Sequence, residues 1–235
     1  MFITLKEKKY RNYSRKREIS DCEESLMKTI LSIDFDIVMA PSIEIYNAIV
    51  PKYNWEEIAV HEPFAALAYP DYEHYQKLVN FIINLLPHLN KNQIVVIENH
   101  GKIVNHVPVN EDYRIINIDH HHDVWYPPDP KCRDNDSVNC ANWVRKLYET
   151  GYLKESVWVK NLNSADVDYM YSHIINKTYN FSEWIEKNEN FIPDQLVLSL
   201  SEPWVPTRIR PLFYLILDIL NKYYNTHFNI EYEDD

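Results

Sequence analysis

Glycine is nearly missing from this chain. Its 235 residues include two, Gly101 and Gly151, where an average composition near 7% would supply about sixteen. The shortage excludes sites made of bare backbone: the dinucleotide fingerprint needs three glycines in six positions, and the phosphate-binding P-loop needs two. Chemistry on an anion or a nucleophile must therefore rest on side chains or metal ions. Cysteine is scarce as well. Cys22, Cys132 and Cys140 are odd in number and never spaced C-x-x-C, which argues against a disulfide scaffold or thiolate zinc site and fits a reducing, cytoplasmic setting. Positive charge is in deficit, with 24 Lys and Arg against 35 Asp and Glu and a net charge of −11. Nucleic acid and anionic membrane surfaces are therefore not expected partners, whereas cations are attracted. No apolar run approaches the roughly 20 residues of a membrane span, and no secretory pattern follows the basic start.

With 46% hydrophobic and 25% charged residues, the composition is that of a globular chain long enough for one sizeable domain. Seven of the first seventeen residues are basic. Residues 1–27 read as a basic N-terminal extension, with Met27 a candidate natural start, and 28–235 as a single domain. Buried strands are expected at Ile30–Asp34, around QIVVIE, at Tyr113–Asp119, at SVWVK and at Asp194–Ser201. Helical spacing covers Tyr72–Leu89, Cys140–Gly151 and the stretch RIRPLFYLILDILNKYY. Short apolar strands alternating with amphipathic helices predict an α/β three-layer sandwich with a mainly parallel central sheet. Chemistry in such folds gathers at the carboxyl ends of the strands.

Three of those ends carry acids or histidines. ILSIDFD closes on Asp34 and Asp36, VVIENH on His100, and INIDHHHD on Asp119, His121 and Asp123. Extended chain would turn residues two apart to the same side. Five of the ten histidines fall between His100 and His122, a clustering that packing does not explain. Four carboxylates and two imidazoles suit two divalent ions with bridging carboxylates, and four negative charges balance two such cations. An oxygen-rich set without thiolate favours Mn²⁺ over Zn²⁺.

IDHHHD resembles the Asp-x-His-x-Asp motif of the ureohydrolases, the arginase and agmatinase group, and SIDFD resembles their Asp-x-Asp metal motif. The stretches ILSIDFDIVMAP, VVIENHGKI, INIDHHHDVW, NCANW and LSLSEPWVP more closely resemble the peptide arginases, which convert arginine side chains of ribosomal precursor peptides to ornithine. The resemblance implies an arginase/deacetylase-like catalytic domain over 28–235 and two Mn²⁺ ions. Asp34 and Asp119 would bridge them, His100 and Asp123 would complete one ion, and His121 and Asp36 the other. It also implies that Asp119 serves catalysis, that Glu202 grips the substrate guanidinium and that Asn142 contacts substrate. The implied partner is an arginine-containing precursor peptide, and a homo-oligomer is allowed. One departure stands out: free-arginine arginases place Asp-x-Asp after Asp-x-His-x-Asp, and here it comes before.

Other readings use the same letters. Asp-x-Asp with a later DHH resembles the DHH manganese phosphoesterases, although their glycine-rich GGGH stretch is missing. A deacetylase on the arginase fold would use one zinc and leave ligands over. A non-catalytic, metal-stabilised protein that binds arginine-bearing peptides is the third alternative.

Overall fold

The computed structural model describes residues 27–39, 70–125, 137–162, 164, 166–201, 205 and 207–232. Apart from Met27, the basic stretch 1–27 lies outside them. Six strands, β1 (Lys28–Asp34), β2 (Ile94–Ile97), β3 (Tyr113–Ile118), β4 (Leu153–Lys160), β5 (Lys177–Asn180) and β6 (Gln195–Ser199), form one sheet. Their order is β2-β6-β1-β3-β4-β5, and every pairing is parallel. The four α-helices among the described residues are α1 (Tyr72–Leu85), α2 (Trp143–Glu149), α3 (Phe181–Lys187) and α4 (Arg210–Tyr224). None is long and apolar enough to cross a membrane.

Alternation along the strands sends neighbouring side chains to opposite faces. Leu31, Ile33, Val96, Ile118, Val159 and Leu198 meet Leu78 and Phe81 of α1, Trp184 of α3 and Phe213 of α4 in one core. Ile30, Ile97, Ile115 and Val197 meet Ile103 and the α2 residues Trp143, Val144 and Leu147 in the other. The expected sandwich is therefore present, and its sheet is wholly parallel. Connections running toward the β2 edge carry α1 and α3 on the first face. The β3 to β4 connection runs the opposite way and carries α2 on the second, as a single crossover hand requires. β1 and β3 are thus neighbours whose chains depart to opposite faces, which opens a crevice at their carboxyl ends.

Local chemistry sets the boundaries. The Asp71 side chain caps α1 by accepting from the amides of Glu73 and His74, both at 3.0 Å. Regular α-helix stops at Leu85, short of the expected Leu89, and continues as a 3₁₀ turn over Leu86–His88, because Pro87 has no N–H to offer. Gly151, with φ 79°, follows α2 and donates its amide to the Tyr148 carbonyl, the expected glycine stop. α2 begins at Trp143, three residues inside its expected range. β5 and α3 were not expected. At the other edge Glu231 forms an isolated parallel bridge to Ile97 of β2.

Candidate metal centre

All six residues read from the motifs as metal ligands converge in the crevice between β1 and β3, by a route the sequence did not indicate. Asp34 ends β1, but Asp36 lies in a 3₁₀ turn over Phe35–Val38 instead of extended chain. β3 likewise stops at Ile118, and the five residues Asp119–Asp123 follow a bent path, with Asp123 in the left-handed region at φ 52°. Strand alternation therefore does not align these ligands. A turn carries Asp36 toward His121, and a strained residue brings Asp123 back toward His100.

Two groups result, sharing Asp119: Asp34, His100 and Asp119, and Asp36, Asp119 and His121. In the first, His100 Nδ1 stands 3.0 Å from Asp34 Oδ2, 3.0 Å from Asp119 Oδ2 and 3.1 Å from Asp123 Oδ2. One ring nitrogen carries at most one proton, so it cannot satisfy three carboxylates, and none of these contacts has hydrogen-bond geometry. In the second, His121 Nδ1 is 2.7 Å from Asp36 Oδ2 and 3.8 Å from Asp119 Oδ1. Asp34 Oδ1, Asp36 Oδ2 and His100 Nδ1 are buried with no hydrogen bond, and a set of four aspartates and two histidines that includes such atoms fits a cation, which would take the lone pairs that now face one another.

A surrounding layer orients the ligands. Ser32 Oγ lies 2.6 Å from His100 Nε2; with Nε2 carrying the proton and donating it to that hydroxyl, Nδ1 presents a lone pair. Trp143 donates from Nε1 to Asp123 Oδ2 at 2.6 Å, Asn117 donates from Nδ2 to Asp119 Oδ2 at 3.1 Å, and Trp158 donates from Nε1 to the Asp119 carbonyl at 3.0 Å. The His120 amide donates to Asp36 Oδ1 at 3.2 Å. Sequence reasoning missed Ser32, Asn117, Trp143 and Trp158. Ser32, Asn117 and Trp143 had a signal, their places in ILSIDFDIVMAP, INIDHHHDVW and NCANW, whereas Trp158 had only its place in a strand. Gly101 shows why glycine is spent beside His100. A Cβ there would stand 2.8 Å from the Asn139 carbonyl carbon and 2.9 Å from the Cys140 nitrogen, both backbone atoms.

Electrostatics mark the same place as strained. Burial, followed by repulsion from Asp36, lifts Asp34 to about 6. Burial and the charges of Asp123, Asp36 and Asp34 raise Asp119 well above the ordinary carboxylate range. Burial also opposes charge on Asp36, but His121 beside it prevails and holds it at about 2. For His100 burial is likewise outweighed, here by the surrounding aspartates, and its pKa rises well above the usual imidazole value. His120 and His122 behave differently: burial, reinforced by His121, holds His120 at about 4, and burial holds His122 at about 4.

The two residues assigned to substrate stand apart. Asn142 is buried and serves its own loop, accepting from the Asn139 amide at 2.9 Å and donating to the Ser137 carbonyl at 2.9 Å. Among the described residues, one amide hydrogen is left for another partner. Glu202 lies outside the described residues. Ser201 before it is buried in the left-handed region at φ 56°.

Comparison of the chain with protein-family models, curated proteins and solved structures finds no match. The buried Asp and His cluster itself therefore carries the functional reading. It has the composition and spacing to hold a metal ion, as a metal-dependent hydrolase requires.

Proposed function

We propose that this protein is a binuclear-metal hydrolase that converts peptidyl arginine to ornithine with release of urea. The observation that carries the reading is the sharing of one buried carboxylate, Asp119, by two ligand groups at the carboxyl end of a parallel sheet. Asp34, His100 and Asp123 would hold one ion with Asp119, and Asp36 and His121 the other. The unbonded Asp34 Oδ1 is free to reach the second ion as well. Two Mn²⁺ ions would balance the four aspartates, and oxygen donors favour that metal. Divalent cations held there supply Lewis acidity and a water ionised near neutral pH.

The chain's own residues do the remainder. Burial of the cluster limits access of bulk water, so a guanidinium entering the crevice meets fixed carboxylates instead of a hydration shell. Glu202 would accept hydrogen bonds from that guanidinium, and Asn142 would position substrate from the α2 side. In the reaction the bond between the guanidino carbon and the side-chain nitrogen breaks, the water oxygen becomes the urea carbonyl, and both water protons finish on the departing amine. His120 and His122, held neutral at pH 7 by burial, are poor donors for that proton transfer. The net charge of −11 favours approach of a basic peptide.

The experiment is direct. Mn²⁺-loaded protein is incubated with an arginine-containing peptide, with free arginine and with agmatine, and urea and the arginine-to-ornithine mass loss are measured. Turnover of the peptide supports the proposal. Turnover of free arginine alone would leave a ureohydrolase but remove the peptide substrate, and urea from none of the three would refute the enzyme.

A further inference from the structure

The two ligand groups are supported by different parts of the fold. Around the first, Ser32 of β1 meets His100, and Trp143 of α2 meets Asp123. Around the second, support comes from the end of β4, a strand that supplies no candidate ligand. The Asp119 amide donates to the Val159 carbonyl at 3.0 Å, and the Asp119 carbonyl accepts from Trp158 Nε1 at 3.0 Å. Both backbone groups of the shared aspartate thus rest on β4.

Asn161, the first residue past β4, extends that hold to Asp36. Its side chain is buried and donates from Nδ2 to the Ile37 carbonyl at 2.8 Å, across 124 residues of sequence. Ile37 follows Asp36 in the 3₁₀ turn over Phe35–Val38. Two more carbonyls of that turn are taken, Asp36 by the Met39 amide at 2.9 Å and Val38 by the Asp71 amide at 2.6 Å. Of these three bonds, the one from Asn161 reaches β4, on which Asp119 rests. The His120 amide also meets Asp36 Oδ1, at 3.2 Å, but it acts on the side chain and not on the turn that bears it.

The choice of an amide is informative. The Ile37 carbonyl only accepts, so the atom facing it is nitrogen, and Asn161 Oδ1 is left buried with no hydrogen bond. A buried acceptor without a donor costs stability. Leucine, with the same branched shape, would remove that orphan and create another at Ile37, so the exchange is about even for the fold. What asparagine alone supplies is a fixed link between the Asp36 turn and β4.

We infer that Asn161 is a positioning residue for the second ion: it holds the Asp36 turn against the end of β4 so that Asp36, Asp119 and His121 face one cation. The inference rests on the two-ion reading of the site. It adds that the ions depend on separate supports, Asn161 for one and Ser32 for the other.

The test uses the full chain and Mn²⁺ alone. Wild type, Asn161→Leu, Ser32→Ala and the combined variant are titrated calorimetrically, and bound Mn²⁺ is followed by electron paramagnetic resonance. In Asn161→Leu one ion should bind as in wild type and the other about 10- to 100-fold more weakly. The spectrum of a coupled pair should then give way to that of a single ion at Mn²⁺ levels that fill both wild-type sites. Melting of the metal-free variant should stay within a few degrees of wild type, which a purely structural role would not allow. The combined variant should be weakened at both ions. Equal weakening of both ions in Asn161→Leu, no weakening of either, or a combined variant that keeps one tight ion would overturn the inference. If Asn161→Leu does not fold, Asn161→Ala is read in the same way; failure of both to fold overturns the inference, because Asn161 then serves the fold and not the ion. Wild type that binds fewer than two Mn²⁺ refutes the two-ion reading and the inference with it. Wild type that binds two but releases no urea refutes the arginine reading alone, and the binding data still decide Asn161.

Discussion

The two ends of the sheet handle charge in opposite ways. At the amino end every group named here has a partner. Asp194 accepts from the Thr29 amide at 2.7 Å, Arg114 donates from Nε to Thr29 Oγ1 at 2.7 Å, and Lys177 pairs with Glu155 at 2.7 Å. Lys28 with Glu111 and Lys154 with Asp112 continue the pattern in more exposed positions. At the carboxyl end four aspartates and two histidines are buried together, with oxygen atoms unbonded and Asp123 in a conformation that a side chain seldom adopts. The amino end closes its own electrostatics, and the carboxyl end leaves buried oxygen atoms unbonded that a cation could take. A fold tolerates such an end only when the remainder of the sheet is well satisfied.

That contrast breaks most completely with Asp119→Asn, which keeps the shape and removes the shared charge. Urea release should fall by about a thousandfold or more. Wild type should gain about 3 kcal/mol of stability from Mn²⁺ at a hundredfold excess over Kd, and the variant far less, by calorimetry and melting. The metal-free variant should be at least as stable as metal-free wild type at pH 7, since one buried like charge is gone.

Gly101→Val comes next. Its side chain collides with the Asn139–Cys140 backbone, so about 1–3 kcal/mol of stability should be lost along with much of the metal content. Unchanged metal content would show that the loop can move aside.

pH separates the metal-free and loaded forms. Asp34, ordinarily at 3.8, is raised to about 6, so the folded metal-free protein holds that proton more tightly than the unfolded chain. Asp34 should therefore cost stability progressively as pH rises from about 4 to 6. Binding of Mn²⁺ displaces the same proton, and the loaded form should lack this loss. Melting curves with and without metal across that range measure the gap.

Ser32→Ala should lower Mn²⁺ affinity about 10- to 100-fold while leaving the metal-free melting temperature within a few degrees, because it frees the His100 ring without emptying the core. The smallest effect belongs to the amino end. Glu155→Gln weakens the pair with Lys177 and should change stability by about 1 kcal/mol or less with no effect on metal affinity. A metal effect there would mean that the two ends are coupled.

The strands that carry the candidate ligands were legible because they are short, apolar and closed by acids or a histidine, and the candidate set was read from their ends. The reason for its convergence was not legible. Asp34 and Asp36 read as neighbours on an extended face, yet Asp36 is delivered by a 3₁₀ turn, a difference that a two-residue spacing does not encode. β5 was missed because KTYN is mostly exposed and shows no apolar period, and α3 because seven residues are too few to establish a helical one. Ser32 and Asn117 looked like ordinary strand positions. Ser32 takes its meaning from His100, which follows β2 and is brought beside β1 only by the fold, and Asn117 from the bend after β3 that turns the Asp119 carboxylate back onto it.

The bridge at Glu231 has a consequence for solubility. A parallel sheet that ends in β2 leaves a row of backbone donors and acceptors open to any passing strand. The Glu231 amide donates to the Val96 carbonyl at 3.0 Å, its carbonyl accepts from Glu98 at 3.1 Å, and its carboxylate meets His106 at 2.8 Å. One residue thus occupies part of the edge and brings a charge to it, while β5, at the opposite edge, is four residues long and starts with a lysine. Both borders of the sheet are in this way guarded against self-association, and loss of the Glu231 strap would turn the β2 side into a template for aggregation.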